Sequence, residues 1–451
     1  MKNLLIAILA GMLMSTGNSY AQNTICGNEL IQQYIDNDPV LKAQDQENWT
    51  KYVERNKQLK NTANKNTGDV TIPVVFHVIL NSSQMAAVND TAGIIERVFS
   101  QIAVLNEDFN AKNFDIQNVP EVFKPYVGNP NMGFGVAKID PNGKARLGIE
   151  FLVKDGGFDG YSGHDAATKR KVSGGLDPWD NTRYLNVWIT NLKNSGTGSQ
   201  LLGYAFSPQY AQNVYGDPQL GGAVVHYLAL GRRSSTITNF FSPTVDKGRT
   251  LTHELGHFFN IWHIWGNTQI GSGNCFDDDG IDDTPRQEDA NQSCQFGTFV
   301  PIPNCSNGSH PGGEMFMNYM DYSGDRCQNM FTADQVAVMR KELEPGGISH
   351  GLSLHPELCF WPAGVSAVEY NNHLEIGPNP STGIFNIRFV EKYNRLDKIS
   401  VVSTMGQTVK EVTVESQQNG YSIDMTSMPK GMYIVHLHFD EGIISKKVVL
   451  Q

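Results

Sequence analysis

The chain has 451 residues, of which 40% are hydrophobic and 18% charged, so it can bury a substantial core and is too long for one small domain. Lys plus Arg number 35 against 46 Asp plus Glu, a formal charge of -11, which argues against a broad electrostatic embrace of nucleic acid or an anionic membrane. With 44 Gly and 20 Pro the chain turns often, yet it is too apolar to be disordered, and two or three folded units are expected.

Residues 1–21 read as an export signal: Met1-Lys2-Asn3, an apolar run from Leu4 to Met14, and Ser19-Tyr20-Ala21 as a small-x-small cleavage site ahead of Gln22. A retained anchor needs about 18 or more apolar residues. The run is shorter and no later stretch reaches that length, so no transmembrane segment is expected in the mature chain. Residues 22–65 are polar and helix-capable, from Glu29-Leu30-Ile31 through the charged stretch to Lys60, and read as a weakly packed pro-segment.

A folded domain is expected over 66–345. It opens on the β-rich, nearly continuous apolar run Thr71 to Leu80. Ile95, Val98, Phe99, Ile102 and Leu105 then form a helical stripe within Ile94 to Phe109. Tyr184 to Ile189 and Gly222 to Tyr227 are further strands, and Thr332 with Gln335 forms a capping box for a closing helix that ends near Glu344. Pro345-Gly346-Gly347 stops that helix, and 346–370 reads as a linker. Over 371–451 short strand patterns at Phe385 to Phe389, Leu396 to Val402, Val409 to Val414, Gly431 to His438 and Ile443 to Leu450 alternate with turns, the pattern of a small all-β sandwich. The predicted class is α+β followed by all-β.

Export permits disulfides, and four of the six cysteines (Cys275, Cys294, Cys305 and Cys327) crowd a region rich in Asn, Gly and Asp that lacks a core pattern of its own. Staples are favoured over a four-thiolate zinc site, because the spacings lack Cys-x-x-Cys knuckles. Spacing alone does not choose among the three pairings.

The chemistry concentrates in Leu251-Thr252-His253-Glu254-Leu255-Gly256-His257 and on to His263. His253 and His257, four apart, project from one helical face and can hold one zinc ion, with Glu254 beside them as a general base toward water. His263 lies six residues past His257, about 240 degrees round a continuing helix, and would miss the metal. A break at Asn260, a residue that tolerates the left-handed conformation, returns the chain and brings it in. Gly256 costs the helix roughly 1 kcal/mol against Ala, which points to close packing at that position.

These residues, with His263-Ile264-Trp265-Gly266 and Asn318-Tyr319-Met320-Asp321-Tyr322, resemble the metzincin zinc metallopeptidases and, within them, the pappalysin-like family. The resemblance spans roughly residues 70 to 345 and departs from the common metzincin pattern in placing Asn, not Gly, at 260. It implies a catalytic domain with a twisted, mainly parallel sheet and an active-site helix. Met320 would be the methionine under the metal, filling an irregular apolar floor, and the Tyr322 hydroxyl would reach the developing oxyanion. Disulfides Cys275–Cys305 and Cys294–Cys327 are implied by the resemblance.

Asp277, Asp278, Asp279, Asp282 and Asp283 crowd a loop whose mutual repulsion a hard cation or solvent must relieve. Relatives carry calcium near this segment, so a structural Ca2+ is expected there, with a solvated acidic loop as the alternative. Cys26-Gly27 resembles the start of the family's cysteine latch, in which a leader thiolate is the fourth zinc ligand; the alternative is a Cys26–Cys359 disulfide. Pro378-Asn379-Pro380-Ser381-Thr382-Gly383, Met405-Gly406-Gln407 and Met428-Pro429-Lys430-Gly431-Met432-Tyr433 resemble the sorting domain of cargo that Bacteroidetes secrete by the type IX route, implying a partnership with outer-membrane secretion machinery and a secreted or surface-attached fate.

The expected protein is a secreted zinc endopeptidase acting on proteins or peptides and not on nucleic acid. Asp325, near the expected substrate wall, favours a basic residue after the cut. The alternatives are a noncatalytic zinc-containing adhesin or binding protein, against which Glu254 argues, and a nonpeptide amidase.

Overall fold

The computed structural model describes residues 24–59, 69–156, 167–192, 200–266, 275, 278–292, 305, 313–360, 374–389, 396–403, 408–414, 418, 420–439 and 442–451. The first unit is built on one sheet. Its strands are β1 (Thr24–Cys26), β2 (Val70–Leu80), β3 (Met132–Ala137), β4 (Ile149–Val153), β5 (Leu185–Thr190), β6 (Gln200–Phe206), β7 (Gly222–His226) and β8 (Cys359–Phe360). The order is β1-β6-β7-β5-β2-β3-β8, with β4 also pairing β2. β2, β3, β4, β5 and β7 run parallel, whereas β6 is antiparallel to β7.

Helices cover both faces, which is why the strands read as unbroken apolar runs. The helices are α1 (Asn28–Asn37), α2 (Pro39–Leu59), α3 (Ser82–Ala87), α4 (Asp90–Asp108), α5 (Pro208–Tyr215), α6 (Arg249–Phe258) and α7 (Ala333–Leu343). Ile94, Val98, Ile102 and Leu105 of α4 and Leu251, Leu255 and Phe258 of α6 join Val74, Phe76, Val187 and Val225 in the main core. On the other face Ile79, Trp188, Tyr204 and Val224 form a second cluster. Thr332 and Gln335 make the expected capping box at α7.

The structure departs from two expectations, one of packing and one of extent. The leader is not weakly packed: β1 adds to the edge of β6, Ile31 and Ile35 of α1 are buried in the second cluster, and Trp49 and Tyr52 of α2 pack against Trp262. Arg55 of α2 also pairs with buried Glu342 at 2.6 Å. Its polar composition hid a few anchoring side chains on otherwise solvated helices. The expected linker likewise begins later than 346, because Leu352 and Leu358 are buried and β8 pairs with β3. Cys26 and Cys359 therefore sit in strands at opposite edges of the sheet, and both are outside any disulfide, which overturns the Cys26–Cys359 alternative.

Cys275 and Cys305 are bonded, with S–S 2.10 Å and Cα atoms 5.3 Å apart. Cys327 is also disulfide-bonded; Cys294 lies outside the described residues.

The C-terminal strands are β9 (Leu374–Gly377), β10 (Ile384–Phe389), β11 (Leu396–Ser403), β12 (Thr408–Thr413), β13 (Gly420–Asp424), β14 (Gly431–Phe439) and β15 (Gly442–Leu450). They form a three-stranded sheet, β13-β10-β9, and a four-stranded one, β12-β11-β14-β15. Phe385, Ile387 and Ile423 from the first meet Ile399, Val401, Val435 and Val448 from the second in one core, the expected sandwich. Among the described residues no helix is long and apolar enough to cross a membrane.

Candidate metal and catalytic site

The ten residues of α6 are all buried, and the helix carries His253, Glu254 and His257. It ends at Phe258, with Phe259 as its cap; Asn260 then adopts φ 66°, the left-handed turn its side chain tolerates, and Ile261 N–H donates back to the Gly256 carbonyl at 2.9 Å. That reversal carries His263 to the other two imidazoles. The three Nε2 atoms stand 3.0, 3.1 and 3.2 Å apart.

Which nitrogen bears the proton follows from the partners. His253 Nδ1 donates to the Tyr319 carbonyl at 2.7 Å and His257 Nδ1 to the Ile261 carbonyl at 2.8 Å. Burial holds His253 down to about 4 and pushes His257 and His263 well below the ordinary histidine value, so the rings are neutral. With Nδ1 donating in His253 and His257, their Nε2 lone pairs point at a common place beside His263 Nε2. Such an arrangement is repulsive without a cation. A tetrahedral ion with bonds of roughly 2.0–2.1 Å has ligand atoms about 3.3 Å apart, close to the separations found, so the donor set fits a zinc-sized metal.

Cys26 completes the group. Its sulfur and the three imidazole nitrogens all lie within 4.8 Å of one another, the four residues buried. The thiol also donates to Glu254 Oε2 at 3.4 Å, and Cys26 N–H donates to the Tyr322 hydroxyl at 3.0 Å. Tyr322 Oη lies 3.2 Å from His263 Nε2. Burial pushes the Glu254 carboxyl up to about 8, against which the Cys26 hydrogen bond acts. Glu254 reaches this position because β6 is bare at Gly203, where a Cβ would fall 2.7 Å from Glu254 Oε1. Gly203 was not singled out from the sequence, although a glycine inside a strand pattern signals such a close approach.

Met320 lies beneath the helix, fully buried. A Cβ on Gly256 would come within 2.4 Å of its sulfur. Intrinsic propensity alone would make Gly256→Ala stabilising by roughly 1 kcal/mol, whereas crowding the floor of the site costs about 1–3 kcal/mol. The expected outcome is a lowered melting temperature; an unchanged or raised one in a thermal unfolding scan would refute the packing argument.

Asp325 lines a cavity of about 50 Å³ that also touches Cys26, Leu202, His253, Glu254 and Tyr322. Its Oδ2 accepts from the backbone N–H of Lys247 at 2.7 Å, and burial pushes the carboxyl up to about 6. In the acidic loop the described carboxylates find partners within the chain. Asp278 pairs with Arg286, Asp279 accepts from Thr284 and the Ile281 N–H, and Asp283 accepts from the Asp334 N–H at the start of α7. Each of these carboxylates has such a partner, while Asp279 Oδ2 and Asp283 Oδ1 are buried without one. Asp277 lies outside the described residues.

Residues 170–344 match the pregnancy-associated plasma protein-A family of peptidases, and 375–451 match the secretion-system C-terminal sorting domain. Among solved structures, a promirolysin variant of Tannerella forsythia is 35% identical, with a TM-score of 0.62, covering 75% of this chain and 99% of that one. Mature mirolysin of the same organism, in complex with a cleaved peptide, is 37% identical over 65% of this chain and all of that one, with a TM-score of 0.56. An extracellular metalloprotease of Arthroderma gypseum is 27% identical over 61% of this chain and 72% of its own length.

Proposed function

The chain belongs to the pappalysin family of metallopeptidases and is secreted, and from that premise we propose a zinc endopeptidase held latent by its own leader. The observation that carries the reading is the convergence of three neutral imidazoles on one point, with Glu254 and Tyr322 beside it. A zinc ion bound there supplies Lewis acidity, polarising a peptide carbonyl and lowering the pKa of water. His253, His257 and His263 hold it.

Glu254 takes the proton of the attacking water and passes it to the leaving amine. The Tyr322 hydroxyl donates to the oxyanion that develops on the carbonyl carbon's former double-bonded oxygen. An extended substrate adds to the edge of β6, the edge now occupied by β1, through main-chain hydrogen bonds that serve any internal peptide bond. Asp325, in the wall of the cleft, selects a basic side chain after the cut.

In the latent chain Cys26 excludes water from the metal and engages both reacting side chains, Glu254 by its thiol and Tyr322 by its N–H. Calcium in the acidic loop belongs to the same reading: Asp279 Oδ2 and Asp283 Oδ1 are buried without a hydrogen-bond partner, and a bound cation satisfies such oxygens. The sorting domain directs the protein to the outer-membrane secretion machinery. A noncatalytic adhesin has no use for a buried carboxylate poised beside three convergent imidazoles.

The test is digestion of a diverse peptide mixture by the mature protein, read by mass spectrometry with and without a zinc chelator. Internal cuts that precede Lys or Arg and vanish with chelator are expected. Cleavage confined to chain ends, or unaffected by chelation, would overturn the proposal.

A further inference from the structure

Behind the metal site lies a charged network with no part in the chemistry above. Asp108, the last residue of α4, is fully buried. Its Oδ2 accepts from the Thr252 hydroxyl at 2.7 Å and its Oδ1 from the Tyr319 hydroxyl at 2.7 Å. Thr252 immediately precedes His253 on α6, and Tyr319 is the residue whose carbonyl accepts from His253 Nδ1. One carboxylate thus ties together the helix that carries the first imidazole and the turn that orients it.

The carboxylate is itself held. Arg249, from the first turn of α6, reaches Asp108 at 3.4 Å and makes two bonds of 2.6 Å to Asp115. The same guanidinium donates to the Asp325 carbonyl at 2.9 Å and lies over the Tyr319 ring, 5.5 Å from its centroid. Lys247 Nζ adds a contact of 3.1 Å to Asp115. Burying so many charges is costly, and breaking such a group by removing one partner leaves another uncompensated. A shorter apolar contact would hold helix to turn equally well in translation; hydrogen bonds to both oxygens of one planar group also set rotation. An imidazole needs rotational control, because its lone pair is directional.

We propose that Asp108, through Thr252 and Tyr319, is a positioning residue for the metal-binding imidazole of His253, with Arg249 and Asp115 holding its carboxylate in place. The inference rests on the reading of the three histidines as metal ligands. The path is Asp108 to the Tyr319 side chain, then Tyr319 carbonyl to His253 Nδ1, so Nε2 keeps its aim only while the ring of Tyr319 is tethered. Groups behind a metal ligand typically change metal affinity by about 10- to 100-fold, and an indirect tether belongs at the lower end.

The experiment uses the full chain loaded with zinc or cobalt(II). Affinity is read by competition with a chromophoric chelator, and geometry by the visible spectrum of the cobalt form. Tyr319→Phe is expected to weaken zinc about tenfold and to alter the cobalt bands. Thr252→Val should act the same way and Thr252→Ser should restore the wild-type values, since Ser keeps the hydroxyl. Tyr184→Phe is the control: it removes another phenol bond, the 2.8 Å one to the Ile139 carbonyl, in a different part of the molecule, and should leave both readouts unchanged. If Tyr319→Phe and Thr252→Val bind metal as the wild type does, or no differently from Tyr184→Phe, the positioning role is wrong. A wild-type chain that binds neither metal would instead sink the metallopeptidase reading, a separate failure.

Discussion

Glu254→Gln is expected to keep the metal and lose peptide hydrolysis by about 10²- to 10⁴-fold, the range that a positioned acid–base group supplies. The amide has the carboxylate's shape, so the fit beside Gly203 survives, but it cannot take a proton from water. Burial raises the native carboxyl to about 8 with the leader seated, and a cation bound beside it would favour the ionised form that accepts the proton. Metal content measured alongside the cleavage rate separates the two roles. Comparable rates for variant and wild type would remove Glu254 from the mechanism, while loss of metal together with activity would recast it as a structural residue.

Cys26→Ala in the unprocessed precursor is expected to raise its activity. If the site is closed in nine of ten precursor molecules, about tenfold is the ceiling of the gain, because apparent activity scales with the competent fraction. The gain should stop short of that of the leader-free enzyme. Ile31 and Ile35 remain buried, Trp49 and Tyr52 still grip Trp262, and Arg55 still meets Glu342, none of which depends on sulfur. Initial rates on a short peptide, with the leader shown intact by mass, provide the check. A precursor no more active than before would mean that the packed leader alone blocks the cleft; activity equal to that of the leader-free enzyme would mean that α1 and α2 contribute nothing to latency.

Much of the site was readable in advance because its elements are local. The spacing of His253 and His257 is a helical period, and Asn260 is a residue that permits the αL turn found there. The capping box at Thr332 and the apolar runs of β2, β5 and β7 depend equally on near neighbours. The leader was misjudged for the converse reason. β1 is only three residues long, and α2 has no sustained apolar stripe, so its few anchors could not be recognised without the surface they meet.

By itself the sequence determined the kind of chemistry available: a histidine pair on one face, a carboxylate beside it, a turn able to return a third ring, and two structural units after a leader. Tertiary structure alone decided what those groups work against. Cys26 meets Glu254 across 228 residues, Thr252 meets Asp108 across 144, and Tyr319 meets the same carboxylate across 211. Contacts at such separations leave no period in the chain, because they arise when sheet order and helix packing bring distant segments together. The energy of a buried hydrogen bond or charge depends on that surrounding and not on the spacing of letters.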